Sequence, residues 1–335
     1  MKRIVSLFSL ILLAAVLLCC LTACDLGTKK PEDGKLSVIS TIFPEYDWVK
    51  NVLGDNPADV ELTLLLDSGV DLHNYQPTAA DILKISACDV FIYVGGESDS
   101  WVADVLRSAN NKKMVAINLL DVLGDAVKEE EVVEGMQGED EHEHEDGDHD
   151  HEDEEEAEMD EHVWLSLRNA QVIVTKISEE LQKLDSAHAD VYRKNAEAYI
   201  EKLKALDGQY KAAVDGAARK TLLFADRFPF RYLADDYGLS YYAAFVGCSA
   251  ESEASFETIT FLAEKVDELN LPVVMTIEKP NHRIAETVIS TTKAKNQKIL
   301  AMDSLQSTTA QDVKNGATYL AAMEANLTAL TEALK

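Results

Sequence analysis

The sequence is poor in the residues that several common protein classes require. It has five cysteines in 335 residues, and two of them, Cys19 and Cys20, lie in the apolar amino-terminal stretch. Cys88 and Cys248 fall in different halves of the chain, so a disulfide framework is not expected. Lys and Arg number 31 against 60 Asp and Glu, which gives a net charge of -29. Because phosphate binding needs clustered basic side chains, we expect no nucleic-acid partner.

Signatures of catalysis are also missing from the sequence. The helical His-Glu-x-x-His signature of zinc hydrolases does not occur, and we find neither a convincing Ser/His/Asp set nor a glycine-rich phosphate loop. The segment His142-x-His144-x-Asp146 has a superficial likeness to a dinuclear hydrolase motif, but Gly147 stands where another histidine would be needed. We therefore expect a binding protein and not an enzyme, with a zinc-dependent hydrolase as the less favoured alternative.

What the chain does have is a run of acidic residues with histidines inside it. Residues 129–161 contain 20 Asp or Glu and no Lys or Arg, and they include His142, His144, His149 and His151. Imidazole and carboxylate groups bind divalent cations such as zinc, and the negative charge concentrates these ions. A flexible segment loses chain entropy when it wraps an ion, so we predict an auxiliary metal-binding loop and a separate main site. A solvated loop without function is the alternative.

The amino terminus predicts where the protein is located. A basic pair precedes an apolar run over residues 4–18 that is too short for a stable membrane span, and Leu21-Thr22-Ala23-Cys24 closes this run like a lipobox. Residues 1–23 are therefore expected to be a signal peptide, Cys24 the lipidation site and residues 24–35 a tether. This predicts a lipid anchor on the extracytoplasmic face of the cell membrane. An ordinary secretory signal is the alternative.

Strand and helix patterns alternate twice along the rest of the chain. Alternating βα units imply mostly parallel sheets, and the mature length exceeds a typical single core. We predict an α/β fold with two lobes, residues 36–166 (including the acidic loop 129–161) and 216–335, joined by long rigid helices over residues 167–215, with a metal cleft between the lobes. The runs predicted to be buried strands are short, apolar or β-branched: 36–43, 60–66, 90–94, 114–119, 221–225, 240–246, 273–278 and 298–302.

Three polar side chains lie at positions suited to binding a metal in such a cleft. His73 lies just beyond the strand predicted at 60–66, and ligands collect at the carboxyl edge of parallel sheets. His162 follows the acidic run, and Trp164 would anchor its segment in a core and hold the imidazole still. Asp303 ends the last strand of the second lobe, so its carboxylate is expected in the same cleft. The alternative for His73 is a solvated loop histidine, and for His162 it is the last member of the flexible acidic loop. The alternative for Asp303 is a turn residue or helix cap.

Taken together, these motifs resemble the zinc and manganese solute-binding lipoproteins of bacterial ABC transporters, over nearly all of the mature chain. The resemblance implies a metal held between two α/β lobes and handed to a membrane permease and its ATPase, with His73, His162 and Asp303 as ligands. It rests on the acidic insert, the long connecting helix and three motifs: His73-Asn74-Tyr75-Gln76-Pro77, Asp160-Glu161-His162-Val163-Trp164-Leu165-Ser166 and Met302-Asp303-Ser304-Leu305.

One position departs from the family pattern. The resemblance places a third histidine upstream of Tyr237-Gly238-Leu239, where Arg227 stands if no gap is allowed, and an arginine stays protonated and cannot ligate a metal. With one inserted residue Asp226 takes that place, so we predict Asp226 as a tentative ligand, with Arg227 paired to a carboxylate such as Glu278. A salt bridge between Asp226 and Arg227 is the alternative. Cys248 is a weaker candidate, because a buried cysteine more often packs in a core.

The ligand chemistry favours zinc over manganese. Two imidazoles with one or two carboxylates suit zinc, whereas manganese prefers sites richer in oxygen. We predict a monomeric solute-binding protein that carries Zn²⁺ as its transported ligand. A manganese-binding homologue and a surface adhesin of the same fold are the alternatives. Acid is expected to weaken uptake, because it protonates His73 and His162.

Overall fold

The computed structural model describes residues 35–55, 60–137, 158–249, 253–278 and 281–335. Several sequence predictions lie outside the described residues: the signal peptide, the lipidation site Cys24, nearly all of the tether, and the loop histidines His142, His144, His149 and His151. Among the described residues, no helix combines the length and the apolar character needed to cross a bilayer.

A sheet of four parallel strands forms the first lobe. Its elements are β1 (Leu36–Ser40), α1 (Phe43–Leu53), β2 (Val60–Leu64), α2 (Ala79–Ala87), β3 (Val90–Tyr93), α3 (Val102–Ser108), β4 (Val115–Asn118) and α4 (Leu119–Leu123). The strands lie in the order β2-β1-β3-β4. The central strand β3 is almost wholly apolar and buried, which is typical of parallel strands that are covered on both faces.

Two long helices follow the first lobe, α5 (Leu167–Leu184) and α6 (Ala189–Asp215). Asp185, Ser186 and Ala187 lie between them. His188 holds the cap position of α6 without a side-chain bond to the helix, and its Nδ1 lies 2.7 Å from Asp185 Oδ2. The buried residues of α6 recur every three or four positions, which is the stripe of an amphipathic helix: Tyr192, Ala196, Tyr199, Leu203, Leu206, Tyr210 and Val214.

A second sheet of four parallel strands forms the second lobe. Its elements are β5 (Thr221–Phe228), α7 (Arg231–Tyr237), β6 (Ser240–Val246), α8 (Phe256–Leu269), β7 (Val273–Ile277), α9 (Arg283–Thr291), β8 (Lys298–Met302), α10 (Ala310–Lys314) and α11 (Tyr319–Ala333). The strands lie in the order β6-β5-β7-β8. The last helix, α11, buries Tyr319, Met323 and Leu330.

Helix α6 contacts both lobes along its length. Near its start, the Asn195 side chain donates to the carbonyl of Val52 in α1 at 3.1 Å. Near its end, the Tyr210 hydroxyl donates to the carbonyl of Met323 in α11 at 2.6 Å. A helix of 27 residues is ~40 Å long. The predicted rigid connection between the lobes is therefore present as one continuous helix that is packed at both ends.

All eight predicted strands are present, and the α/β class with two lobes is confirmed. Strand β5 is three residues longer than predicted, because Arg227 and Phe228 continue to pair with β6 beyond a register shift between Phe224 and Arg227. Irregularities of this kind re-aim side chains at strand ends. The shift places Asp226 and Arg227 at the carboxyl edge of the second sheet. The domain boundaries themselves remain predictions.

Candidate metal centre

His73 is held at the carboxyl edge of the first sheet by a short turn. It lies on a 3-10 turn, Leu72–Asn74, and Asp71 caps this turn by accepting a hydrogen bond from the His73 N–H at 3.2 Å. On the ring, Nδ1 lies 2.8 Å from Ser98 Oγ and 3.5 Å from Glu161 Oε2. The hydroxyl and the carboxylate therefore fix the side of the imidazole that carries Nδ1.

His162 is fully buried, and its own neighbours hold it in place. Asp160 Oδ1 accepts hydrogen bonds from the His162 N–H at 2.8 Å and from His162 Nδ1 at 3.0 Å. The predicted anchor Trp164 is 0% exposed, and its Nε1 donates to the carbonyl of Ser304 in the second lobe at 2.9 Å. The rigidity expected for a fixed ligand is therefore built into this segment.

The two remaining ring nitrogens face each other. His73 Nε2 and His162 Nε2 are 3.2 Å apart. Because both Nδ1 atoms lie beside carboxylates, we assign the ring protons to Nδ1, and the two Nε2 atoms then present lone pairs to each other. Two lone pairs at this distance repel unless a cation lies between them. Two nitrogens bound to one tetrahedral zinc at ~2.0–2.1 Å are about 3.3 Å apart, which matches the observed separation.

A buried carboxylate that we did not single out from the sequence supports His73. Glu161 is 2% exposed, and its Oε1 accepts a hydrogen bond from the Ser98 N–H at 2.8 Å. A Cβ at position 96 would lie 2.4 Å from this oxygen, and Gly96 has a φ of +77°, so only glycine fits there. Among the described residues Glu161 Oε2 has no hydrogen-bond partner, and burial raises the pKa of this carboxyl. A cation held by His73 would relieve that cost.

Cys248 joins the two histidines, although the sequence made it the weaker candidate. In the part of the chain that the structure describes, one group of potential metal ligands is present: a ring nitrogen of His73, a ring nitrogen of His162 and Cys248 Sγ all lie within 4.8 Å of one another. Cys248 follows β6 directly, so it lies at the carboxyl edge of the second sheet. Burial and then the charge of Glu130 raise the pKa of its thiol, so the thiol keeps its proton until a cation binds.

Asp303 lies beside this group but is not a member of it. It follows β8, and its Oδ1 accepts a hydrogen bond from the Leu305 N–H at 2.8 Å. Its neighbour Ser304 is the residue whose carbonyl binds Trp164, so the loop touches the His162 segment. Burial and then the charge of Glu278 raise the pKa of Asp303 to about 6. The carboxylate is therefore a poorly stabilised anion, one residue before the Ser304 contact with the His162 segment.

Asp226 and Arg227 make supporting contacts. The two carboxylate oxygens of Asp226 accept hydrogen bonds from the Arg227 N–H at 3.0 Å and the Ile277 N–H at 3.3 Å, and Asp226 is not part of the described ligand group. The expected partner of Arg227 was wrong. Its guanidinium pairs with the carboxylate of Asp71, which caps the His73 turn, and Glu278 instead accepts hydrogen bonds from Ser304 and Ser307.

Comparison with known proteins places the sequence in a family. The profile of the family described as ZnuA, zinc-uptake complex component A, periplasmic, matches residues 38–333. The chain belongs to this family. The ZnuA match runs through both lobes and the connecting helices, so it covers every residue of the described ligand group.

Two curated relatives show how far the similarity to ZnuA proteins extends. The zinc-binding lipoprotein AdcA of Streptococcus pneumoniae is 34% identical over 96% of this chain and 60% of its own length. The high-affinity zinc uptake system protein ZnuA of Bacillus subtilis is 32% identical over 92% of this chain and 90% of its own length. The chain thus spans 60% of the length of the AdcA relative and most of the length of the Bacillus subtilis protein.

Solved structures share the ZnuA-like fold. The crystal structure of Zn(II)-bound AdcA from Streptococcus pneumoniae has a TM-score of 0.69 at 30% identity, over 90% of this chain and 58% of that chain. The metal-dependent lipoprotein YcdH from Bacillus subtilis has a TM-score of 0.71 at 27% identity, over 90% of this chain and 99% of that chain. The similarity to each of them therefore extends over both lobes.

Proposed function

We propose that the protein captures zinc outside the cytoplasmic membrane and delivers it to an ABC transporter permease that an ATPase drives, without a catalytic step. The observation that carries the proposal is the 3.2 Å separation of His73 Nε2 and His162 Nε2, on rings whose Nδ1 atoms lie beside buried carboxylates. Neutral imidazoles oriented in this way are the usual nitrogen ligands of zinc. Membership of the zinc-uptake family supports zinc as the cargo.

The second lobe contributes at least one ligand in this proposal. Asp303 is the proposed carboxylate, because its raised pKa and its position next to the Trp164 contact would both favour a cation at the seam. Asp226 remains a tentative ligand, and its two backbone hydrogen bonds support a structural role for it equally well. Capture by both lobes would bury the ion between them, which suits a protein that carries its ligand to a partner.

The acidic insert and the amino terminus complete the proposal from the sequence. His142, His144, His149 and His151 would collect zinc with lower affinity than the preset site and pass it on. Lipidation of Cys24 would keep the protein at the outer face of the membrane, next to the permease. The relative AdcA is named a zinc-binding lipoprotein, which supports this location.

Calorimetric titration of zinc and manganese into the full-length protein tests the proposal. We expect tight zinc binding and weaker manganese binding. His73→Ala should weaken zinc binding by about 100-fold, because one of four ligands supplies roughly a quarter of the binding free energy of a zinc site. His188→Ala is the matched control, since this histidine also pairs with an aspartate but lies between α5 and α6.

Two results would contradict the proposal. The first is a tight zinc site that is equally strong in His73→Ala and in the control. The second concerns the insert: a variant that lacks residues 139–158 should keep the tight site and lose only weaker binding. If tight binding disappears with these residues, the principal site lies in the insert and not between the lobes.

A further inference from the structure

We propose that Cys248 ligates the ion through a thiolate from the second lobe, which makes the site a mixed nitrogen and sulfur centre that selects zinc over manganese. The inference rests on the proposed zinc function and deepens it. It assigns to Cys248 the role that the family resemblance gives to a histidine at the position of Arg227. With His73, His162 and the proposed Asp303, four side chains from two lobes would then hold one ion.

The distances fit such a centre. Cys248 Sγ lies within 4.8 Å of ring nitrogens of both His73 and His162. In a tetrahedral zinc site with Zn–N of ~2.0–2.1 Å and Zn–S of ~2.3 Å, the nitrogen and sulfur atoms are about 3.5 Å apart. A movement of Cys248 Sγ by at most about 1.3 Å would bring the nitrogen–sulfur distance from 4.8 Å to this value. Asp226 and Asp303 fall outside this group.

The backbone before Cys248 is packed directly on the His162 ring. A Cβ at Gly247 would lie 2.9 Å from His162 Cε1 and 3.0 Å from the carbonyl oxygen of Phe228, so the chain can approach this closely only as glycine. The Cys248 N–H donates to Glu130 Oε1 at 3.0 Å, which fixes the next peptide. The thiol is therefore presented from a loop that has little freedom to move away.

Arg227 explains why a cysteine can take over from a histidine. Its side chain is 4% exposed, and its guanidinium pairs with Asp71 beside His73 and donates to the carbonyl of Ser249 beside Cys248 at 3.4 Å. Arg227 thus joins the segments that carry the two ligands and positions them without touching the ion. In this proposal the ligand Cys248 comes from the end of β6, and the residue at the end of β5, Arg227, holds the ligand segments in place.

A thiolate changes which ion the site prefers. Sulfur ligands select zinc and softer metals, whereas manganese prefers oxygen ligands, so one sulfur beside two imidazoles disfavours manganese. When zinc binds, the Sγ–H bond breaks, the proton passes to solvent, and a sulfur lone pair forms the bond to the ion. The charge of the ion and its strong bond to sulfur compensate for the removal of this proton from a buried thiol.

Cobalt substitution tests the inference directly. Co²⁺ bound by a thiolate shows an intense charge-transfer band in the near ultraviolet, and Co²⁺ bound only by nitrogen and oxygen does not. We expect the band in the full-length protein, its loss in Cys248→Ser, and its retention in Cys88→Ser, which removes a buried thiol of the first lobe. The thiols of Cys19, Cys20 and Cys24 are common to all three chains and cancel in the comparison.

Metal titrations give the second readout. Cys248→Ser should weaken zinc binding by about 100-fold, the share of one ligand in four. Cys248→Asp should lower the preference for zinc over manganese by about tenfold or more, because oxygen replaces sulfur. A wild-type protein that binds zinc and cobalt without the thiolate band would overturn the inference and leave the proposed function intact. A wild-type protein that binds neither metal would overturn the function itself. Absence of the band from the wild-type protein overturns the inference even if a variant fails to fold.

Discussion

Asp160 should control zinc affinity although it is not a proposed ligand. This carboxylate is 1% exposed, and one oxygen, Oδ1, accepts both the His162 N–H and the His162 Nδ1 proton. It fixes the tautomer that leaves Nε2 available for a metal. Asp160→Asn keeps the shape but removes the charge, and Asp160→Ala removes the acceptor.

The expected loss follows from these two contacts. Carboxylates that orient a metal-bound histidine are worth ~10–100-fold in affinity, or about 1.4–2.8 kcal/mol. We expect about tenfold for Asp160→Asn, whose amide oxygen can still accept one hydrogen bond, and about 100-fold for Asp160→Ala. The alanine variant also leaves a buried N–H of His162 without its acceptor, which costs about 1–3 kcal/mol of folding free energy.

Asp185 supplies a matched control within the same chain. It accepts a hydrogen bond from His188 Nδ1 at 2.7 Å, but this pair lies between α5 and α6. Zinc affinity, measured by competition with a fluorescent chelator at fixed pH, should fall for Asp160→Asn and stay unchanged for Asp185→Asn. Urea unfolding of the metal-free variants separates stability from binding. Equal zinc affinity in Asp160→Ala and the wild type would refute the tautomer assignment, and with it the reason for placing a cation between the two Nε2 atoms.

Two further predictions concern a buried carboxyl of the first lobe and the glycine that packs on His162. Glu45 is fully buried, and burial followed by the charge of Asp99 raises its pKa from 4.5 to about 8, so the folded state holds a proton that the unfolded state releases. The free energy of unfolding should therefore fall by a few kcal/mol as pH rises from about 4.5 to 8. Urea titrations at several pH values should show a flatter dependence of this free energy on pH for Glu45→Gln than for the wild type. Parallel pH dependences would contradict this. Gly247→Ala should reduce zinc affinity by about tenfold by displacing the His162 ring; calorimetry that shows unchanged affinity would refute the close packing.

The strands were predictable because a buried parallel strand is mostly apolar and ends at a turn residue, as β3 and β7 illustrate. Strands β6 and β8 begin and end where the sequence pattern predicts. The first strand was predicted to reach Phe43 but ends at Ser40, and α1 takes over at Phe43. Ile42 and Phe43 are buried in either conformation, so hydrophobicity does not separate them. Pro44 in the first helical turn was the available signal.

The proposed first-lobe ligands were accessible from the sequence, whereas the proposed ligand Cys248 was not. His73 and His162 stand in motifs whose neighbours, an Asp cap and a buried Trp, lie close in sequence. Cys248 depends on the pairing of β5 with β6 and on an ion pair between Asp71 and Arg227, which are 156 positions apart. No local pattern encodes these contacts. The rule that ligands collect at carboxyl edges of parallel strands was the available signal for Cys248, and the proposal for Cys248 follows this rule over the general tendency of cysteines to pack.

The contacts between the lobes flank the proposed ligands without using their metal-binding atoms. Trp164, two residues after His162, binds the carbonyl of Ser304, and Arg227 pairs with Asp71, two residues before His73. The Arg227 and Asp71 side chains are 4% and 11% exposed, and removing one partner of such a buried pair costs ~3–5 kcal/mol. Coordination bonds are therefore not needed to hold the lobes together. The free energy of metal binding is then not reduced by the cost of bringing the lobes together. It follows that breaking either contact should loosen the seam beside the imidazoles, and that any widening of this seam would also withdraw the proposed second-lobe ligands from them.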